Sequence, residues 1–261
     1  MKTIFILLFG LSLFAGNKAW TTGNEHILFF RFFHTLPLTP KGESNAQYEK
    51  IKCTSSGDLT IPNIKKDTLF DFENYKTGKL PAGWSQYFTG KGKFTNWKIV
   101  DDNGNKVLAQ LSQDKPGYHF NDIVFDDLNV KNVEMEVKIK GVAGRKDRGG
   151  GFIWRFTDKN NYYVVRENPL EDNVVLYKVK NGKRTDLPVL GKGRTYGVDV
   201  KPLGNGWNTL KLTVKDDLFI VYLNGKELFK VKDDTFTGAG KVGLWTKADA
   251  VSYFDDFRVR Y

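Results

Sequence analysis

From Asp67 to the C-terminus, apolar and polar residues alternate in short runs. Val133, Met135, Val137 and Ile139 fall on one face of an extended segment, and Glu134, Glu136, Lys138 and Lys140 fall on the other. Period two over such a stretch is the signature of a half-buried strand. Leu210, Leu212 and Val214 repeat it against Lys211, Thr213 and Lys215. The apolar run 218–223 follows and closes on Asn224 and Gly225, a pair that supplies the positive φ angles of a tight hairpin turn. Asn181 with Gly182 and Asn103 with Gly104 mark two more such turns. Further strands are predicted at Phe152–Phe156, Tyr162–Arg166, Val174–Val179, Val242–Trp245 and Phe254–Val259. No long run carries a helical period. Short strands separated by turns predict an all-β antiparallel sandwich or barrel, and strands with one charged face favour a two-sheet sandwich with solvated outer faces. No repeat of propeller or solenoid length is present.

The first 66 residues read differently. Lys2 precedes an apolar stretch from Thr3 to Ala15, too short to span a bilayer as a helix. A basic start before a short apolar core reads as a secretory signal peptide over residues 1–19, with cleavage after Ala19; the alternative is a buried N-terminal helix. Residues 20–66 form an extension or linker. Its apolar run from Ile27 to Phe33 shows no alternation and fits an extra strand or an anchoring segment. Residues 67–261 are the sandwich domain, long enough for one sizeable core.

The composition narrows the chemistry. Cys53 is the single cysteine, so no internal disulfide forms, and an exported domain must rely on its core alone. The net charge of +10 invites a polyanion. Residues 1–66 carry +4 of it, from eight cationic and four anionic side chains, and the lysines of the rest are spread along many strands. No nucleic-acid motif accompanies them, so nucleic acid is not the expected partner.

Three stretches add up to a resemblance. The first runs from Trp207 to Val214 and continues from Phe219 to Lys226. The second runs from Gly240 to Trp245 and on from Phe254 to Val259. The third is Gly149 to Arg155 followed by Asp158 to Arg166. Together they resemble the concanavalin A-like lectin/glucanase superfamily, and most of all its laminin-G-like and 3-keto-disaccharide-hydrolase-like secreted bacterial members. The resemblance covers about residues 67–261. It implies a jelly-roll sandwich whose curved sheet meets glycans, with aromatic rings against apolar sugar faces and polar groups on the hydroxyls. The fold also carries glycosidases and adhesion modules, so it does not fix the activity.

Glu134 and Glu136 are the first carboxylate pair to weigh. Two apart on a strand, they lie about 6.5–7 Å from Cα to Cα, and glycosidases place their two carboxyls about 5–9.5 Å apart. Glucanases of the superfamily carry Glu-x-Asp-x-Glu. Here the run is Glu134, Met135, Glu136, Val137, Lys138, so the central acid is a Glu and the third is a Lys. That departure argues against the usual retaining hydrolysis and for a solvated strand face.

Arg155, Tyr163, Arg166, Tyr177, Trp245 and Lys247 are the candidate carbohydrate-binding set. A cationic and aromatic face of this kind suits a uronate or sulfated sugar through Arg–carboxylate or Arg–sulfate forks. The alternative is that the rings belong to the core and Arg166 pairs with Glu167 or Asp172. Asp71, Glu73, Asp255 and Asp256 could meet on adjacent terminal strands as oxygen ligands for a structural calcium; a solvated corner is the rival reading. Zinc and histidine catalysis are not expected, because His26, His34 and His119 lack ligand spacing and no Gly-x-Ser-x-Gly elbow exists. The three glycines at 149–151 lack the ending of a phosphate loop and read as a bend at a strand start.

The expectation is therefore an extracytoplasmic, secreted or periplasmic carbohydrate-binding module, monomeric, with no required cofactor and no stable transmembrane anchor. Its partner is a poly- or oligosaccharide, anionic ones included. The rivals are a glycoside-active hydrolase of the 3-keto-disaccharide-hydrolase kind and a cell-surface protein-interaction domain.

Overall fold

The structure is a computed structural model that describes residues 66–261 apart from 93, 114 and 115, together with the backbone of four short strands nearer the N-terminus. These are β1 (Trp20–Thr22), β2 (Glu25–Ile27), β3 (Phe29–Phe30) and β4 (Glu49–Lys50), and they pair as β1 with β2 and β3 with β4. The chain divides into two units, Met1–Ile64 and Lys65–Tyr261. The signal segment 1–19 and Cys53 lie outside the described residues, as do the side chains of residues 27–33.

The second unit is all strand. In chain order it contains β5 (Asp67–Phe70), β6 (Trp84–Gly90), β7 (Trp97–Asp102), β8 (Asn105–Gln110), β9 (His119–Val130), β10 (Val133–Ala143), β11 (Gly150–Asp158) and β12 (Asn161–Asn168). It continues with β13 (Asn173–Lys180), β14 (Lys183–Asp186), β15 (Val198–Asp199), β16 (Trp207–Lys215), β17 (Leu218–Leu223), β18 (Lys226–Lys232), β19 (Gly240–Lys247) and β20 (Val251–Arg260). Sheet I has the order β18-β17-β16-β10-β20-β8-β7, with β5 also beside β20. Sheet II has the order β14-β13-β12-β11-β19-β9-β6, with β15 beside β13. All pairings are antiparallel, and the fold is a two-sheet sandwich.

The predicted strands fall within β10 to β13, β16, β17, β19 and β20. In the β10–β16 ladder Met135 faces Leu212 and Val137 faces Leu210, so both alternating patterns point one apolar face inward. The three Asn-Gly pairs are the tips of the β7–β8, β13–β14 and β17–β18 hairpins. All six residues have positive φ, from 48° at Asn224 to 89° at Gly104, as mirror-image turns demand. At Gly151 a Cβ would sit 1.8 Å from the carbonyl oxygen of Val165, so β11 and β12 approach that closely only with glycine there.

The main core lies between the sheets. Met135, Val137, Ile139, Leu210 and Leu212 from sheet I meet Phe152, Trp154, Tyr163, Val165 and Leu244 from sheet II. Each such side chain contributes on the order of 1.5–3 kcal/mol by leaving water.

Sheet II carries a second apolar cluster on its other face: Phe120, Val124, Ile153, Phe156, Tyr162, Val164, Val175, Tyr177, Val179 and Trp245. The sheet is curled around these residues. The Thr89 hydroxyl on edge strand β6 bonds the Tyr162 hydroxyl of β12 at 2.8 Å and donates to the Lys159 carbonyl in the β11–β12 turn. Ahead of β9, the Tyr118 hydroxyl donates to the Gly182 carbonyl and accepts from the Arg184 amide at the opposite edge of the sheet. Contacts between strands so far apart in the sheet order require strong curvature. Bulges in β11 against both neighbours supply part of it, around Arg155 with φ of +48°.

Candidate functional site

The concave face of sheet II is packed, and what it offers to a ligand is gathered at its mouth. β12 and β13 carry Arg166 and Tyr177 on this face. The Arg166 guanidinium is almost completely buried. It donates to the carbonyl and side-chain oxygens of Asn173, to Glu171 Oε2 at 2.8 Å and to the Tyr177 hydroxyl at 3.1 Å. Burial disfavours its charge, and Tyr177, Glu171 and Asp147 more than offset that, so its proton is held more firmly than usual. Burial also raises the Tyr177 phenol above its ordinary value, so it stays a neutral donor.

Lys247, at the end of β19, pairs with Asp147 at 2.6 Å in the loop before β11. The Asp147 carboxyl also accepts from Asn168 Nδ2 and from the Arg148 amide. Burial raises its pKa, and the Lys247 and Arg166 charges only partly oppose this. Asp147, Arg166, Glu171 and Lys247 thus belong to one electrostatic network in which each guanidinium or ammonium already has a carboxylate.

The β13–β14 hairpin and the loop that follows it add two residues that the sequence reading passed over. Arg184 lies across the β13–β14 ladder from Val179, so it shares a face with Val179 and Tyr177. Its guanidinium carbon stands 4.3 Å from the Tyr177 ring centroid, 4.9 Å from Phe120 and 6.0 Å from Trp245. The Tyr196 hydroxyl lies 3.1 Å from that of Tyr177, and Tyr196 itself is 45% exposed with φ of +54°. The Asn181–Gly182 turn held the signal for Arg184: a two-residue loop fixes the register and puts residues 177, 179 and 184 on one face.

Comparison with known proteins gives this geometry a family. The 3-keto-alpha-glucoside-1,2-lyase-like domain matches residues 66–260. The chain belongs to that family. No curated protein matches it. Among solved structures, the carbohydrate-binding module CBM66 from Bacillus subtilis has 22% identity over 67% of this chain and 94% of its own, with a TM-score of 0.50. The cellulose-induced protein Cip1 has 13% identity over 74% of this chain and 96% of its own, also with a TM-score of 0.50. The GH43 BlXynB protein from Bacillus licheniformis has 14% identity over 82% of this chain but only 46% of its own, with a TM-score of 0.50. These likenesses support the two-sheet sandwich.

Within this 3-keto-alpha-glucoside-1,2-lyase-like domain, the expected binding set separates into three groups. Arg166 and Lys247 lie at the mouth. Tyr177 and Trp245 are there too, but each is only 1% exposed, so they floor the mouth rather than offer an open stacking platform. Arg155 and Tyr163 do not belong to it. The Arg155 guanidinium points away and donates to the carbonyls of Lys131, Phe236 and Asp216, tying loops of the sandwich edge to the β11 bulge. Tyr163 lies in the main core, stacked on Trp154 at 5.3 Å, with its hydroxyl donating to Asp233 at 2.6 Å. The strand period explains the error: Arg155 follows a bulge that breaks alternation, and Tyr163 is one residue out of phase with Tyr162.

Glu134 and Glu136 lie on the outer face of sheet I, across the sandwich from the mouth. Glu134 meets Lys211 at 3.1 Å and Arg260 at 2.5 Å. Partial burial works against its charge, but the two cations prevail and hold its carboxyl below the usual range, which is unsuited to a general acid.

Asp71, Glu73, Asp255 and Asp256 do converge, lining a cavity of about 460 Å³ with Asn105, Lys138 and Trp207. Each carboxylate already has a partner on at least one oxygen. Asp71 accepts from the Glu73 amide, Glu73 from the Lys106 amide, Asp255 from Asn105 and the Asp256 amide, and Asp256 from Lys138 at 2.6 Å. Among the described residues no trio of His, Cys, Asp or Glu is spaced to hold a metal ion.

Proposed function

We propose that the domain recognises carbohydrate at the mouth of the curled sheet, through Arg184, Tyr196 and Lys247 above a floor of Tyr177, Trp245 and the buried Arg166. The observation that carries this reading is the gathering of guanidinium, ammonium and phenol donors at one end of sheet II. Elsewhere that sheet's concave face is mostly apolar, with Asp122 enclosed between Thr89 and Tyr162. Sugar hydroxyls suit such donors, and the exposed Tyr196 ring offers the stacking surface that the buried rings cannot. The carbohydrate-binding module CBM66, which shares the fold, supports the reading. No metal enters it. The natural test is a polysaccharide binding screen with Tyr196→Ala and Lys247→Ala. Tyr196→Ala should melt like the wild type, whereas Lys247→Ala strips the cation from buried Asp147 and is compared below its own, lower melting temperature; both should lose about tenfold or more in affinity. Binding that survives both substitutions would move the site elsewhere.

A second reading is catalytic, and Asp147 favours it. A buried carboxyl whose pKa is raised by desolvation, beside Lys247 and Arg166, is better suited to proton transfer than an ordinary surface carboxylate, and proton transfer is the step a lyase or hydrolase of 3-keto-glucosides requires. Incubation with a 3-keto-disaccharide, followed by assay for released sugar, decides between the two. Turnover abolished by Asp147→Asn establishes the enzyme; no release with retained binding establishes the module.

We further infer that the protein acts outside the cytoplasm, on the strength of its first 19 residues. Among the described residues no helix is long and apolar enough to cross a membrane. N-terminal sequencing of the mature protein tests the export.

A further inference from the structure

Three cations surround the mouth, and they differ in one respect. Arg166 is paired with Glu171 and Lys247 with Asp147. Arg194, on the loop beyond, is paired with Asp186. Arg184 has no carboxylate within ion-pair distance among the described residues. Its side chain is instead held by rings: Tyr177, Phe120 and Trp245 lie beneath the guanidinium. The Arg184 amide is fixed by the Tyr118 hydroxyl at 2.6 Å, and Tyr118 itself packs on Phe120 at 4.8 Å. The side chain is half-buried, whereas the rings it covers are nearly or completely so.

Elementary chemistry says what such a group is suited for. A guanidinium lying on aromatic faces is stabilised through its π-face, and its N–H edge is left over. That edge carries donors in a fixed fork that matches the two oxygens of a carboxylate or sulfate. The rings remove most of the rotamer freedom that a free arginine loses on binding. The neighbouring acid, Asp186, cannot take the place of a ligand. The Arg194 fork holds its carboxyl below the ordinary range, against a smaller opposing effect of burial and with a weaker long-range contribution from the Arg184 charge, and keeps its oxygens occupied.

We propose that Arg184 is a specificity-determining residue that selects saccharides bearing an oxyanion, carboxylate or sulfate, over neutral ones. This rests on the mouth being the carbohydrate site. A sugar arriving there meets the Arg184 fork before it meets the rings underneath. Lys247 close by then contributes hydrogen bonds to hydroxyls, with Asp147 keeping its charge neutralised, while Arg166 stays buried on Glu171 and holds Tyr177 in place.

The test is titration calorimetry with three probes: an oligogalacturonide, its fully methyl-esterified form, and a sulfated galactan oligosaccharide. Wild type, Arg184→Gln and Arg184→Lys are compared, each checked for an unchanged melting temperature. The wild type should bind at least one anionic probe about tenfold or more tightly than the ester. Arg184→Gln should erase that preference. Arg184→Lys keeps a charge but no fork, and should lose most of it. Should Arg184→Gln not fold, the lysine variant decides alone. The carboxylated and sulfated arms show which oxyanion is preferred. Equal binding of ester and anion by the wild type overturns the proposal while leaving the glycan site standing, as does a preference that survives both substitutions. Failure of all three probes to bind overturns both.

Discussion

The outer faces of the two sheets are built by opposite rules. On sheet I the exposed side of β10, β16 and β20 is a lattice of ion pairs: Glu134 with Lys211 and Arg260, Lys138 with Asp256, and Asp67 with Arg258 and Arg260. On sheet II the corresponding side of β11, β12 and β13 is Ile153, Val164, Val175, Tyr177 and Val179, closed off by curvature. The first face is finished by water and counter-charges. The second is a small core of its own, and polar groups survive there only with partners, such as Asp122 between Thr89 and Tyr162. The sandwich therefore has a bland face and an invested one, and the recognisable chemistry lies where the invested face opens.

The largest expected effect tests that asymmetry directly. Trp245→Ala removes an indole that is 1% exposed and packs on Phe120 at 5.3 Å. It should cost about 3–5 kcal/mol in denaturant unfolding, as a large aromatic deleted from a core does. A cost under about 1 kcal/mol would mean that the concave face is not a core.

Much of this contrast was legible in the sequence, though only one half of it was read. The alternation at 133–140 gave sheet I its solvated face, and the Asn-Gly pairs located three hairpins. Runs such as Phe152 to Phe156 and Tyr162 to Val165 are apolar without alternation, the pattern of a strand covered on both faces. Read that way, they already deny an open aromatic groove. What no local pattern carried was the third dimension. The β11 bulge turns Arg155 into a tie between loops, and the curl brings Tyr118 to Arg184 across the sheet. The pairing of Arg166 with Glu171, not with Glu167 or Asp172, likewise depends on how the β12–β13 turn folds back.

A pH-dependent effect of comparable size over its full range comes from the edge of the main core. Burial, stronger than the opposing pull of Arg166 and the Gly150 amide, pushes the Glu167 carboxyl from 4.5 up to about 8. The folded state therefore binds this proton more tightly than the unfolded chain. The associated stability is complete below pH 4.5 and is lost as the pH rises through 8. Between those limits the slope is about 1.4 kcal/mol per pH unit. Glu167→Gln should flatten it, so that the variant gains on the wild type as the pH increases. Parallel stability–pH curves would show that Glu167 is ionised in the fold.

On the bland face the effects should be slight. Glu134→Ala opens two ion pairs between partly exposed groups, and such pairs contribute about 0–1 kcal/mol each at most. A loss of 3 kcal/mol or more, about what a buried network costs, would overturn the contrast between the faces.

The smallest effect sought is none at all, and it concerns the acidic corner of the same face. Asp71, Glu73, Asp255 and Asp256 line one cavity, as a calcium site would require. A calcium ion takes six to eight oxygens, and here the carboxylates are spent on amides, on Asn105 and on Lys138. To bind the ion, the corner would have to expel the Lys138 ammonium and reorient at least two carboxylates. Asn105 on β8 and Lys138 on β10 already hold the Asp255 and Asp256 carboxylates, so the corner has its partners without a metal. Chelator followed by excess calcium should therefore leave the melting temperature unchanged. A rise of several degrees on calcium addition, absent in Asp255→Asn, would show that the corner rearranges around the ion and that the bland face also holds a built site.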